Sequence, residues 1–236
     1  MSNGLAQALV NAAAAPYRRS GRFPWHFARG KLSYDPIFLA ILARGLIPHG
    51  AHVLDLGCGQ GLLSAWLGAA RNAWKSLSWP SSWPEPPRLA SYHGIERRAQ
   101  DVERARTSAL MGTFACGDIC TMPFVQADVV TIFDVLHYID QASQDSVLER
   151  VREILAPGGL LLLRVGDAAA GWRFRASQWL DLLMISARGR YWTRLHCRPK
   201  EVWLERLADL GFEVTVIPMS EKTPFANVLL VARRAK

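Results

Sequence analysis

Cysteine is scarce: the chain has four, Cys58, Cys116, Cys120 and Cys197, in 236 residues, and no C-x-x-C pair among them. That pattern offers no thiolate metal cluster, and free thiols are its simplest reading. The expectation is a reduced, cytoplasmic protein with free thiols and no metal site. No apolar run is long enough to span a membrane. Residues 5–15 are apolar, but no basic residue precedes them and Arg18 and Arg19 follow, the reverse of the order in a secretory leader. Internal repeats and low-complexity tracts are missing too. Half of the residues are hydrophobic and a fifth are charged, an ordinary globular composition with length enough for a large core.

Acidic residues are outnumbered, 20 against 28 Lys and Arg, for a formal charge of +8. Such a balance suits nucleic acid or an acidic partner, but charge governs association rather than fold. The basic residues are scattered, with the tightest groupings at 18–22 and 188–200. Proline, in contrast, is concentrated. Residues 72–92 hold Pro80, Pro84, Pro86 and Pro87 together with Trp74, Trp79 and Trp83. That density forbids regular helix or strand, so the stretch reads as an inserted loop. It is either a flap packed on the helices beneath or a cover for substrate.

Glycine clusters at one place that organises the rest. Val53, Leu54, Asp55 and Leu56 read as a short buried strand, followed by Gly57, Cys58, Gly59, Gln60 and Gly61 and then an apolar-periodic helix through Leu62, Leu63 and Leu67. A strand, a tight glycine turn and a helix start make a nucleotide cradle: bare main chain admits the ligand, and the helix N-terminus offers N–H groups. A dinucleotide fold calls for G-x-G-x-x-G. Here the spacing is G-x-G-x-G, with an acid, Asp55, two residues before the first glycine. That suits a ligand carrying a cation near the turn better than one carrying a pyrophosphate.

The pattern resembles motif I of the class I S-adenosylmethionine-dependent methyltransferases, whose cofactor carries an ammonium and a sulfonium but no phosphate. Later stretches match in order. Residues 93–96 read as a second strand ending in Glu96, whose paired oxygens suit the ribose hydroxyls. It lies 35 residues past Gly61, and the insertion at 72–92 accounts for that length. The resemblance makes Asp118 and Ile119, after a third strand at 113–116, the partners of the adenine amino group and ring; on its own Gly-Asp-Ile reads equally as a plain turn. It places Arg97 and Cys58 beside the cofactor as well. Residues 127–133 read as a fourth, β-branched strand ending in Asp134, the last cofactor candidate. Leu155 with Pro157, Gly158 and Gly159 ahead of the apolar run 160–165 is a further family signature.

The residues around Asp134 bear on the substrate. Base-methylating relatives commonly carry an Asn/Asp-Pro-Pro-aromatic tetrad at this place; this chain has Phe133, Asp134, Val135, Leu136, His137 and Tyr138, similar to the small-molecule branch. Histidine ordinarily titrates near about pH 6.5, so His137 can take a proton from an acceptor hydroxyl, with Tyr138 orienting it. Two other readings stay open: His137 packs on the following helix, or His196 is the base.

The resemblance implies an α/β, Rossmann-like sheet of seven mostly parallel strands in the order 3-2-1-4-5-7-6, with helices on both faces. It implies an N-terminal helical and aromatic segment over 1–50 and a methyltransferase domain over 51–236, with insertions at 72–92 and 166–199. The second insertion, with a predicted helix at 177–187, is the expected substrate cover. The implied cofactor is S-adenosylmethionine and the implied acceptor a small molecule, of an aromatic or polyketide type from secondary metabolism. Residues 27–32, 166–199 and 223–227 are also similar to methyltransferases that accompany bacterial aryl-polyene pigment biosynthesis. The rivals are an RNA or protein methyltransferase, favoured by the charge, and a cofactor-binding protein without catalysis.

Overall fold

The computed structural model describes residues 3–76, 79–108, 111–166, 195–219 and 227–235. Its strands are β1 His52–Leu56, β2 Ser91–Glu96, β3 Thr113–Cys116, β4 Ala127–Phe133, β5 Leu155–Gly166, β6 Phe212–Pro218 and β7 Asn227–Arg234. They form a seven-stranded sheet in the order β3-β2-β1-β4-β5-β7-β6, the order implied by the resemblance. The chain packs as two compact units, Met1–Pro123 and Phe124–Lys236. Among the described residues no helix is long and apolar enough to cross a membrane.

In the first unit β1, β2 and β3 pair in parallel, with Asp55 opposite Gly94 and Glu96 opposite Cys116. The helices are α1 Asn3–Ala14, α2 Arg22–Tyr34, α3 Pro36–Ala43, α4 Leu62–Ser76 and α5 Ala99–Ser108, with a 3-10 turn at Ala15–Ser20. Within the expected N-terminal helical and aromatic segment, residues 17–34 are this turn and helix α2. Pro24 does not prevent the helix because it lies in the first turn, where no N–H partner is needed. Pro24, Ala28 and Leu32 make its buried face. Two guanidinium groups lie over the Trp25 ring, Arg18 at 4.9 Å and Arg29 at 5.1 Å. Asp35 caps α3 as its position before Pro36 predicts: its carboxylate accepts from the Ile37 N–H at 3.1 Å.

Helix α4 is buried on every side from Leu62 to Ala70, and the indole N–H of Trp66 donates to the Phe38 carbonyl at 2.8 Å. It continues to Ser76, so the opening of the 72–92 stretch is helical rather than loop. The prolines begin only at Pro80, and nothing before them interrupts the ladder. At the other end Ser91 and Tyr92 already belong to β2. The tryptophans pack edge to face, Trp74 of α4 on Trp79 and Trp79 on Trp83. Glu85 is held by Arg71 at 2.6 Å and by Arg88 at 3.1 Å. Within its unit the loop is fastened to the end of α4.

The second unit holds α6 Gln141–Ile154 and α7, the helix Lys200–Asp209. Asp140 caps α6 through the Ser143 N–H at 3.0 Å. Strand β5 is parallel to β4 and antiparallel to β7, and β7 is antiparallel to β6. The Pro157, Gly158 and Gly159 signature is absorbed into β5 as an irregularity: Leu155 pairs with Ala127, and the register shifts before Val129 meets Leu160. Gly159 is confined there, since a Cβ would lie 2.8 Å from the Ala156 carbonyl and 3.0 Å from that of Asp128. The predicted helix 177–187, most of the second insertion and residues 223–226 lie outside the described residues.

Candidate functional site

In the first unit the carboxyl ends of β1, β2 and β3 bring nine of the predicted residues together: Asp55, Gly57, Cys58, Gly59, Gly61, Glu96, Arg97, Asp118 and Ile119. The turn after β1 requires its glycines. Gly57, Gly59 and Gly61 have φ of 77°, 55° and 79°, a region that side chains with a Cβ rarely adopt. Around Gly59 a Cβ would meet nothing within 4 Å, whereas at Gly61 it would press on Ala105 at 3.1 Å and Phe114 at 3.3 Å. The turn is thus open to a ligand at Gly59 and closed against α5 at Gly61.

Backbone bonds fix this turn to β2. The N–H groups of Gly57 and Cys58 both donate to the Ile95 carbonyl, at 2.8 and 3.1 Å. Glu96, half-buried at the end of β2, accepts from the Gly59 N–H at 3.1 Å through Oε2 and from the Arg98 N–H at 2.9 Å through Oε1. A carboxylate has about four lone-pair directions, so each oxygen keeps one for a hydroxyl. Asp118 accepts from the Cys120 N–H at 2.9 Å and faces Arg97 at 3.8 Å. The Cys120 hydrogen bond, with Arg97 adding to it, holds the Asp118 carboxyl below the usual aspartate range, so it remains an acceptor. Ile119 is buried beside it.

Asp55 is buried within β1 and accepts a hydrogen bond from the Tyr92 hydroxyl. Burial, then the Asp55 charge, pushes the Tyr92 phenol well up, so it remains a donor. Cys58 reports the local field. Burial pushes its thiol up, and the carboxylates of Asp55 and Glu96 push it further. Burial disfavours charge of either sign, but these two carboxylates make the turn less favourable for pyrophosphate than for a cation. The set of acceptors therefore fits a ligand with a positive charge, a diol and an exocyclic amine. Among the described residues no group of three His, Cys, Asp or Glu could hold a metal ion.

The other three predicted residues, Asp134, His137 and Tyr138, belong to the second unit. Asp134, just past β4, has φ 59°, the only non-glycine residue with positive φ among the described residues. Its carboxylate is gripped by Arg164 of β5, with Nε at 2.8 Å and Nη2 on the other oxygen. The Arg164 side chain is 2% exposed and that of Asp134 29%. Here the acid expected to face the cofactor holds a buried guanidinium. Asp134→Ala should destabilise the fold by about 2 kcal/mol, below the range for a fully buried pair because Asp134 is partly open to water. The melting temperature should drop by roughly 4–8 °C. Asp134→Asn, which tolerates the left-handed backbone, should fall less; equal melting of all three proteins would show that the pair contributes nothing.

His137 and Tyr138 lie in a 3-10 turn, Leu136–Tyr138, with ring centroids 4.1 Å apart. Sequence reasoning missed the residue that holds this turn. Gln144, fully buried on α6, directs its amide nitrogen at the carbonyls of Leu136 at 2.9 Å, Ile139 at 3.0 Å and His196 at 2.7 Å. The His196 N–H in turn donates to the His137 carbonyl at 2.9 Å. The two histidines that compete for the base's role are thus neighbours in backbone. A glutamine in a helix gives no sequence signal of such a clamp.

A family model described as a methyltransferase domain matches residues 25–216. The chain belongs to the class I S-adenosylmethionine-dependent methyltransferases. It is 30% identical over 187 residues to a ubiquinone biosynthesis O-methyltransferase of Xanthomonas oryzae, covering 76% of this chain and 70% of that one. It is 29% identical over 102 residues to the tetracenomycin polyketide synthesis 8-O-methyl transferase of Streptomyces glaucescens, covering 42% and 28%. Several such relatives are matched over only about half of their length or less. Magnesium protoporphyrin IX methyltransferase of Synechocystis, solved with bound S-adenosylhomocysteine, shares the fold. Its TM-score is 0.59 at 17% identity, covering 99% of this chain and 100% of that one.

Proposed function

We propose that this methyltransferase binds S-adenosylmethionine at the glycine turn and methylates a hydroxyl on a small, aromatic or polyketide-type molecule. The observation that carries the cofactor reading is the acid-rich turn itself, open at Gly59 and bordered by Asp55, Glu96 and Asp118. When bound, the cofactor supplies a methyl group activated by a positively charged sulfur. Glu96 accepts the ribose hydroxyls with its remaining lone pairs, Asp118 accepts from the adenine amine, and Ile119 packs against the ring. Asp55 makes the end of β1 negative, where an ammonium is favoured. His137 takes the proton of the acceptor hydroxyl, and Tyr138 orients that hydroxyl.

The hydroxyl acceptor is supported by the relatives, named as O-methyltransferases of ubiquinone and of tetracenomycin biosynthesis. The absence of the Pro-Pro tetrad after Phe133 favours a small molecule over a nucleic-acid base. Secondary metabolism and a cytoplasmic location belong to this same proposal. Incubation of cell extract with the protein and isotopically labelled methyl donor, followed by mass spectrometry, should place the label in the small-molecule fraction on oxygen. Label confined to RNA or protein would replace this reading with one of its rivals. No label in any fraction, with donor binding intact, would favour a cofactor-binding protein without catalysis.

A further inference from the structure

Two peptide groups of the glycine turn are each held at both polar ends, and together they lead back to the N-terminal helices. Tyr17, fully buried on the 3-10 turn Ala15–Ser20, donates its hydroxyl to the Gln60 carbonyl at 2.8 Å. The same peptide unit continues as the Gly61 N–H, which donates to the Cys58 carbonyl at 2.9 Å. That second peptide unit continues as the Gly59 N–H, which donates to Oε2 of Glu96 at 3.1 Å. Every donor and acceptor in this series points the same way, from the phenol to the carboxylate. Aligned hydrogen bonds polarise one another and strengthen along the chain in a low-dielectric setting.

A second bond ties the same residue to the same segment. The Gln60 side chain, 4% exposed, donates its amide to the Pro24 carbonyl in the first turn of α2, at 3.0 Å. Burial pushes the Tyr17 phenol far up, so it donates throughout the working pH range. Gln60 stands between two left-handed glycines, where the backbone by itself has wide freedom to flip its peptide planes.

We propose that Tyr17 is a remote positioning residue for the cofactor site, setting through two peptide groups the conformation of the glycine turn and the orientation of the Glu96 carboxylate. The N-terminal segment thereby becomes part of the binding apparatus rather than a separate prefix. This rests on the reading of the turn as the S-adenosylmethionine site.

The test is Tyr17→Phe, which keeps the ring and removes the hydroxyl. In the ligand-free protein, hydrogen exchange of the Gly59 and Gly61 amides should quicken by about tenfold, while exchange in β5 and β7 stays at the wild-type rate. Calorimetry with S-adenosylhomocysteine should show affinity reduced by about tenfold. Gln60→Leu, which keeps the turn carbonyl and loses only the bond to Pro24, should quicken the same amides by less. Wild-type exchange at Gly59 and Gly61 in folded Tyr17→Phe would overturn the proposal. If that variant does not fold, the same exchange is measured in Tyr17→Met, which fills the site without a hydroxyl, and wild-type rates there would overturn the proposal instead. Should the wild-type protein bind no S-adenosylhomocysteine, the cofactor reading fails while the exchange measurement still decides the role of Tyr17.

Discussion

Glu96→Ala should lower the affinity for S-adenosylhomocysteine by at least about 100-fold in a titration calorimeter, which corresponds to roughly 2.7 kcal/mol. Two losses add. The first is recognition: a carboxylate that receives two ribose hydroxyls makes charge-assisted bonds, each stronger than a neutral one. The second is support. Without the carboxylate, the Gly59 and Arg98 N–H groups lose the acceptor that both now share, and the turn keeps only its backbone bonds to the Ile95 carbonyl at the end of β2. Glu96→Gln separates the two. Its amide oxygen still accepts from one N–H, so the turn is partly held, while the charge is gone; its affinity should lie between those of the wild type and the alanine variant. Gly59→Val attacks the same site from the other side, placing a branched side chain at φ 55° in the open space beside the turn. Wild-type affinity in folded Glu96→Ala and Gly59→Val would move the cofactor away from this turn.

Much of that site is legible in the sequence because its signals are local. A four-residue apolar strand, three glycines and a leucine-periodic helix sit within fifteen residues, and each constrains its own neighbours. The cap at Asp35 is legible for the same reason. The features that escape a sequence reading are non-local or masked by composition. Helix α2 is hidden because its stretch mixes Pro24, Gly30, aromatics and basic residues, and its apolar face is only Pro24, Ala28 and Leu32. Its stability comes from packing, not propensity. The Asp134–Arg164 pair joins a residue just past β4 to one on β5, thirty positions apart. A sign of it is visible, since an arginine inside the apolar run 160–165 must find an acceptor if the strand is buried. No such sign marks Tyr17 or Gln144. Their partners are main-chain carbonyls, which every residue carries, so sequence cannot single them out.

His137→Ala should reduce turnover by roughly 10²–10⁴-fold if His137 is the proposed general base, with donor affinity near the wild-type value. The geometry makes the comparison with His196 sharp. Gln144 pins the carbonyls of both Leu136 and His196, and the His196 N–H is bonded to the His137 carbonyl. Removing either imidazole therefore leaves the shared backbone clamp in place, and loss of rate can be assigned to the missing ring rather than to a displaced turn. His137→Gln refines this, because an amide can keep a hydrogen bond to the acceptor but cannot take its proton. It should turn over nearly as slowly as the alanine variant. His196→Ala should lose far less, since His196 is expected to act as a neighbour in the backbone and not as the base. Gln144→Leu should fall between, losing rate through a loosened turn while both imidazoles remain, and its loss should not add to that of His137→Ala in the double variant. Wild-type turnover in His137→Ala, with the chemical step shown to be rate-limiting, would reduce His137 to packing. A large loss in His196→Ala alone would transfer the role to that residue.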